Sequence, residues 1–137
     1  MSDPIGALVA ALAADAVVAG LAGSDVYGGE LPEDAVARMP IRTIVIQASG
    51  GSAYTSDSDA NVDAQRVDLI AYAATAREAD QLRAAGARVL RGIRRQTIGG
   101  TLIHWVNSAG GFSAGRDRDG TWPRSFQSFQ IFYALGE

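Results

Sequence analysis

Gln65-Arg-Val-Asp-Leu-Ile-Ala-Tyr-Ala73, with Thr75-Ala-Arg-Glu78 and the run to Arg95 behind it, decides how this chain folds. The first segment is β-branched and aromatic, and its side chains alternate between two faces. Val67, Leu69, Ala71 and Ala73 share one face; Arg66, Asp68, Ile70 and Tyr72 share the other. Thr75 and Glu78 then form a capping box, in which the Thr75 hydroxyl accepts from the Glu78 backbone and Glu78 reaches back. Beyond it the period changes from two to 3.6: Ala79, Leu82, Gly86, Val89 and Ile93 fall on one stripe, with Leu90 at its edge. A half-buried strand running into an amphipathic helix that reaches Arg95 is the expectation, and the rest of the chain must cover these two elements.

Upstream, Asp3-Pro4 is an N-cap followed by proline at the first helical position. Ile5, Leu8, Val9, Leu12 and Ala16 give the helix that follows one apolar face, and Asp15 starts a short second turn, Ala16 to Leu21, that Gly23 ends. Val26-Tyr27 is a short extended piece. Gly28 to Pro40 reads as a loop carrying Glu30, Glu33 and Asp34. Ile41 to Gln47 is a β-branched strand, and Gly50 to Asn61 a polar loop. Downstream, Ile98-Gly-Gly-Thr101 is a tight turn, Thr101 to Val106 a strand, and Phe126 to Leu135 an aromatic closing strand with Phe126 out of phase. Asn107–Ser125 reads as a long glycine-rich loop, too long for an ordinary connection. Phe112, Trp122, Arg116, Arg118 and Arg124 suit it to an arm that docks on a partner and orders there; the alternative is a hairpin folded back on its own sheet, with Trp122 covering the core edge. The order of elements predicts one α+β domain over residues 1–137, a mainly antiparallel sheet of about four to five strands with two helices packed on one face.

The 137 residues suit one core, and 47% hydrophobic with 20% charged residues is an ordinary globular balance. Without cysteine there is no disulfide, thiolate or zinc-thiolate chemistry. The start of the chain is acidic and unlike a secretion signal, and the apolar runs are too short to span a bilayer, so no membrane is expected. All twelve basic residues are arginine, and the net charge of −3 disfavours general nucleic-acid binding. The charge is unevenly laid out. Residues 1–65 hold nine acids and two arginines, a net −7, and residues 66–137 hold six acids and ten arginines, a net +4. That polarity suits a head-to-tail contact between copies, the acidic loop around Glu30, Glu33 and Asp34 meeting an arginine surface of the next. Arg88, Arg91, Arg94 and Arg95 crowd the expected helix C-terminus, either complementing the helix dipole or facing a partner; Arg88, Arg91 and Arg95 lie opposite the apolar stripe.

Catalytic constellations are weak. Gly111-Phe-Ser-Ala-Gly115 matches the nucleophile-elbow spacing, but loop chemistry follows where a helix is required, and the only histidine, His104, precedes the serine. Asp57, Asp59, Asn61 and Asp68 take the spacing of calcium-loop ligands, but Val62 stands where the central glycine belongs. No glycine pair opens a helix after a strand, so phosphate cradling is unsupported. No enzymatic activity, metal or cofactor is expected.

The residues then resemble a known family, the tail terminator or tail completion proteins of long-tailed bacteriophages and related gene transfer agent-like particles. The segments matched, in order, are Ala14-Asp15 with Val18, Leu21 and Gly23; Val26-Tyr27; a loop closed by Pro40; Val45-Ile46-Gln47 before Ser49-Gly50; Val67-Asp-Leu-Ile-Ala-Tyr72; the helix with Ala76, Glu78, Ala79, Leu82 and Leu90; and the aromatic final strand. The resemblance implies a structural virion protein of the neck, assembled in the bacterial host cytoplasm. Its expected form is a hexameric ring that caps the tail tube and joins it to the head connector, with double-stranded DNA passing through the lumen. The partners implied are further copies of the chain, the tail-tube protein and the connector's adaptor or stopper. A head-side adaptor or stopper role, or a small ligand-binding regulatory α+β module, remains an alternative.

Overall fold

The computed structural model describes residues 3–48, 62–116 and 122–134. Six strands form one sheet in the order β1-β2-β3-β6-β5-β4: β1 (Val26–Gly28), β2 (Thr43–Ala48), β3 (Val62–Tyr72), β4 (Arg94–Ile98), β5 (Thr101–Arg116) and β6 (Pro123–Ala134). β1 runs parallel to β2, and every other neighbouring pair is antiparallel. Among the described residues four helices accompany the sheet: α1 (Pro4–Ala14), α2 (Ala16–Ala22), α3 (Glu33–Arg38) and α4 (Ala76–Arg91). The α+β class and the mainly antiparallel sheet agree with expectation. The expected four to five strands fall short of six, and the expected two helices fall short of four.

The alternation in β3 does what its pattern requires. Val67, Leu69, Ala71 and Ala73 are all fully buried. Val67, Leu69 and Ala71 join Ile44 and Ile46 of β2, Ile103 of β5, and Phe129 and Ile131 of β6 in one core with Leu8 and Leu12 of α1, Val18 of α2, and Leu82 and Leu90 of α4. Asp3 caps α1 by accepting from the Gly6 N–H. Asp15 ends that helix and caps the next, accepting from Val17 and Val18, and the chain bends by 86° there. Thr75 caps α4 through the Glu78 N–H at 3.1 Å, and the Glu78 carboxylate is drawn to Arg42 at 3.5 Å.

α3 sits apart from the other helices. Val26 points into the core, so Asp25 and Tyr27 point to the other side of the sheet edge. Arg38 at the end of α3 bonds both, reaching Asp25 at 2.9 Å and the Tyr27 hydroxyl at 3.4 Å. Three helices therefore cover one face, and α3 is tied at the β1 edge on the other.

Two further expectations change. The helix stops at Arg91, where Gly92 takes the cap position, and the chain turns into β4. Ile93 is buried, but as the first residue after that turn and not as a further rung of the helical stripe. Asn107–Ser125 is no separate arm: β5 continues to Arg116, β6 resumes at Pro123, and the two pair back to Arg116↔Pro123. The bulges lie in β5, between Ile103 and Trp105 and between Ser108 and Phe112, and Phe126 falls on the face opposite Phe129.

The long hairpin is held by a polar ladder. Arg83 of α4 is 9% exposed, donating to Asp80 at 2.9 Å and to Gln127 Oε1 at 2.6 Å. Gln127 donates on to Ser108 at 3.0 Å, and Ser125 donates to Asp80 at 2.9 Å. Buried polar groups are tolerated when each finds a partner, and here they fix the register of three elements at once.

Two outcomes follow for stability. A Cβ at Gly86 would lie 2.8 Å from Leu69 Cδ1 and 3.5 Å from side-chain atoms of Ile44 and Leu12. Gly86→Val overpacks that contact and should lower unfolding free energy by about 1–3 kcal/mol in urea melts; Gly86→Ala should cost less, because the gain in helix propensity of roughly 1 kcal/mol offsets the strain. The second concerns acid. Arg83, with Ser125, holds the Asp80 carboxyl below its usual range against the opposing effect of burial, and Arg38, with Tyr27, does the same for Asp25. A carboxylate depressed in the folded state binds its proton first in the unfolded chain, so its stabilisation is complete above about pH 4 and is lost as pH falls through the folded value. Asp80→Asn should therefore melt below the parent at pH 7, with the gap closing as pH is lowered toward 3; a gap independent of pH would contradict the assignment.

Candidate subunit interface

Part of the charge division read from the sequence falls on the two edges of the sheet. β1 is one edge strand and β4 is the other. The segment after β1 carries Glu30, Glu33 and Asp34, all exposed, with Glu33 and Asp34 in the first turn of α3. Acidic residues there complement the helix dipole. Asp34 reaches Arg38 only at 3.9 Å, and Arg38 is committed to Asp25. The Asp25–Tyr27–Arg38 cluster pins α3: its hydrogen bond to Asp25 raises the Tyr27 hydroxyl above its ordinary value, while Asp25 is lowered mainly by Arg38.

At the other edge β4 exposes Arg94 and Arg95, and Arg88 and Arg91 are exposed on the last turns of α4. Arg95 therefore belongs to an edge strand and not to the helix; its φ of 47 lies in the left-handed region, an irregularity that protects an edge from unwanted strand pairing. Arg88 pairs with Asp15 at 2.9 Å. The Val18 N–H leads in lowering the Asp15 carboxyl, against the effect of burial, with Arg88 next. Among the described residues no ion pair involves Glu30, Glu33, Arg91, Arg94 or Arg95.

Beside the basic edge a groove of about 440 Å³ opens between α1, the end of α4 and β4. Ala11, Ala14, Val89, Ile93 and Ile98 supply an apolar lining, and the Asp15–Arg88 pair stands at it. No pattern in the sequence marks this groove, because it needs β4 to turn back beside α1. The two exposed large hydrophobic residues among those described are Val17 on α2, 53% exposed, and Val36 on α3, 42% exposed.

The remaining expected interface residues separate. Trp122 packs edge-on against Tyr72, ring centroids 6.0 Å apart and planes at 87°, so it caps its own sheet as the hairpin alternative requires. The backbone of Phe112 pairs with Gln127 and that of Arg116 with Pro123, while Arg118 lies outside the described residues. On the face turned from α1, α2 and α4, Trp105 stacks on Phe132 at 4.8 Å and Arg124 lies over the Phe126 ring at 5.5 Å.

The catalytic and metal spacings find no support. Ser113 sits inside β5 opposite Phe126, so the strand-to-helix turn of a nucleophile elbow is missing there. His104 lies beside Trp105, centroids 6.2 Å apart. Asp57, Asp59 and Asn61 lie outside the described residues, and Asp68 accepts from Ser128 at 2.6 Å. Among the described residues no group of three or more metal-ligating side chains occurs, and no single helix is long and apolar enough to cross a membrane.

Comparison with known proteins agrees with this architecture. A subunit of the virion of a native gene transfer agent particle superposes with a TM-score of 0.74 at 19% identity, over 94% of this chain and 92% of that one. The gp17 protein of bacteriophage SPP1 superposes with a TM-score of 0.51 at 15% identity, over 96% of this chain and 88% of that one. At such identities these likenesses establish the fold. A search of curated proteins finds no match. The sequence itself matches the family described as tail completion protein gp17 over residues 6–134, nearly its whole length, and the chain belongs to that family.

Proposed function

We propose that this chain is a non-enzymatic virion protein that completes the tail of a phage or phage-like particle, forming a ring that caps the tail tube and joins it to the head connector, with double-stranded DNA passing through the lumen. Family membership supports the tail-completion role, and the likeness to a subunit of a gene transfer agent virion agrees with it. The observation that carries the ring is the placement of unlike charge on opposite edges of one sheet: Glu30, Glu33 and Asp34 beside β1, Arg94 and Arg95 on β4. A surface that complements a different surface of its own copy makes heterologous contacts, and these close into rings when the rotation between copies allows.

Exposed ion pairs contribute only about 0–1 kcal/mol each, so the tail tube serves as the template on which copies collect. DNA in this arrangement is cargo, in keeping with a net charge of −3. The tail-tube protein below and the connector's adaptor or stopper above are the remaining partners. Assembly takes place in the host cytoplasm, and residues 1–137 act as one unit.

Electron microscopy of purified particles tests this reading. The expected result is a hexameric ring of this chain at the head-proximal end of the tail, with heads and tails left unjoined when the chain is deleted. Isolated copies, a two-fold dimer, or normal particles in the deletion strain would contradict it.

A further inference from the structure

The two edges differ in shape as well as in charge. α3 is a short helix tied to the β1 edge by Arg38, with Ala35 buried beneath it, and it presents Val36 at 42% exposure. Glu33 lies one helical turn before Val36, so both occupy the same outer side, with Asp34 next to Glu33. The result is a small apolar knob flanked by acids. The opposite edge offers its complement, a groove of about 440 Å³ with an apolar lining from α1, α4 and β4. Arg88 stands in its wall, paired there with Asp15, and Arg91 and Arg94, unpaired among the described residues, neighbour the groove residues Gly92 and Ile93 in sequence.

We propose that α3 of one copy docks, Val36 first, into the α1–α4–β4 groove of the next, with Glu33 and Asp34 set among the arginines at its mouth. The inference rests on the reading that copies meet head to tail, and it names the surfaces that meet. An apolar contact at the centre with charges at the rim is the usual division of labour in an interface: the centre supplies affinity, and the rim supplies orientation and rejects wrong partners. The same surfaces cannot pair in a two-fold manner knob to knob, because two acidic α3 helices would then face each other. A second copy is the occupant favoured here, because charge and apolar character both match and both parts belong to one chain. Arg95, displaced by its positive φ, leaves β4 unsuited to a simple added strand, so docking by a helix into the groove agrees better with this edge than strand-to-strand extension.

The chain contains no cysteine, which makes a direct test available. Val36→Cys places a thiol on the knob, and Gln96→Cys places one on β4 in the groove wall. The double variant, oxidised as purified protein at high concentration and again in assembled particles, should give a ladder of covalent multimers. Val17→Cys with Gln96→Cys serves as control, because Val17 is at least as exposed as Val36. An excess of multimer over that control on the order of tenfold is expected, since docking raises the effective concentration of one thiol at the other. A mixture of the two single variants should stop at dimers. Dimers of Val36→Cys alone at equal yield, or a ladder no stronger than the control, overturn the docking. Particles that carry the chain as a ring yet leave these thiols unlinked overturn the docking while leaving tail completion intact. Particles that lack the chain overturn tail completion, and the purified protein then decides the docking alone.

Discussion

The approach of α4 to the sheet at Gly86 is the contact on which the other arrangements depend. With no Cβ at that position, the helix settles directly onto Leu69, with Ile44 and Leu12 closing in from β2 and α1. One close contact thus joins four elements. It sets the height of α4 over β3, and α1 then fills the space beside it. Because α4 lies there, its last turn ends next to α1, and Gly92 sends the chain down into β4 instead of outward. The groove between α1, α4 and β4 follows from that placement, and so does the arginine edge. The far end of α4 is locked by different chemistry, with Arg83 anchoring Gln127 and, through Asp80, Ser125.

Much of this order was legible in the chain. The alternation from Val67 to Ala73, the Thr75 cap, the Asp3-Pro4 start and the Asp15 break each carry a local physical signal, and the structure uses each one. The end of α4 was not legible, because Ile93 lies at the spacing the helical stripe demands; Gly92 was the available sign, and it competed with an apolar pattern that ran through it. α3 went unread for the opposite reason: its six residues are too few to show a period, and its buried residue is the small Ala35. The hairpin was hidden by its polar contacts, since Ser125 and Gln127 are buried yet bond to α4, and Gln127 also to the exposed Ser108, where a strand pattern leads one to expect apolar side chains. A buried arginine on a helix cannot be foreseen from periodicity, and it makes polar residues opposite it interior ones.

The interface candidates were legible as charge but not as place. Glu30, Glu33 and Asp34 are exposed as expected, and Arg88 and Arg91 lie on the exposed end of α4. Only the sheet order reveals that these acids and arginines occupy opposite edges. Phe112, Arg116 and Trp122 moved the other way. Expected on an arm, they belong to strands or cap one, and Trp122 spends its apolar surface on Tyr72.

The central claim is that the acidic and basic edges recognise each other between copies. It is tested most directly by charge reversal with mutual rescue. One variant carries Glu33→Arg with Asp34→Arg, so both its edges are basic; the other carries Arg94→Glu with Arg95→Glu, so both are acidic. All four positions are exposed; the first variant should melt slightly below the parent, because arginines replace acids in the first turn of α3, and the second should keep the parent's melting transition. Particles produced with either variant alone should lack completed tails, because like edges repel, and particles produced with both together should recover them in rings of alternating subunits. Full tail completion by either variant alone, or failure of the two folded variants together, would contradict the account.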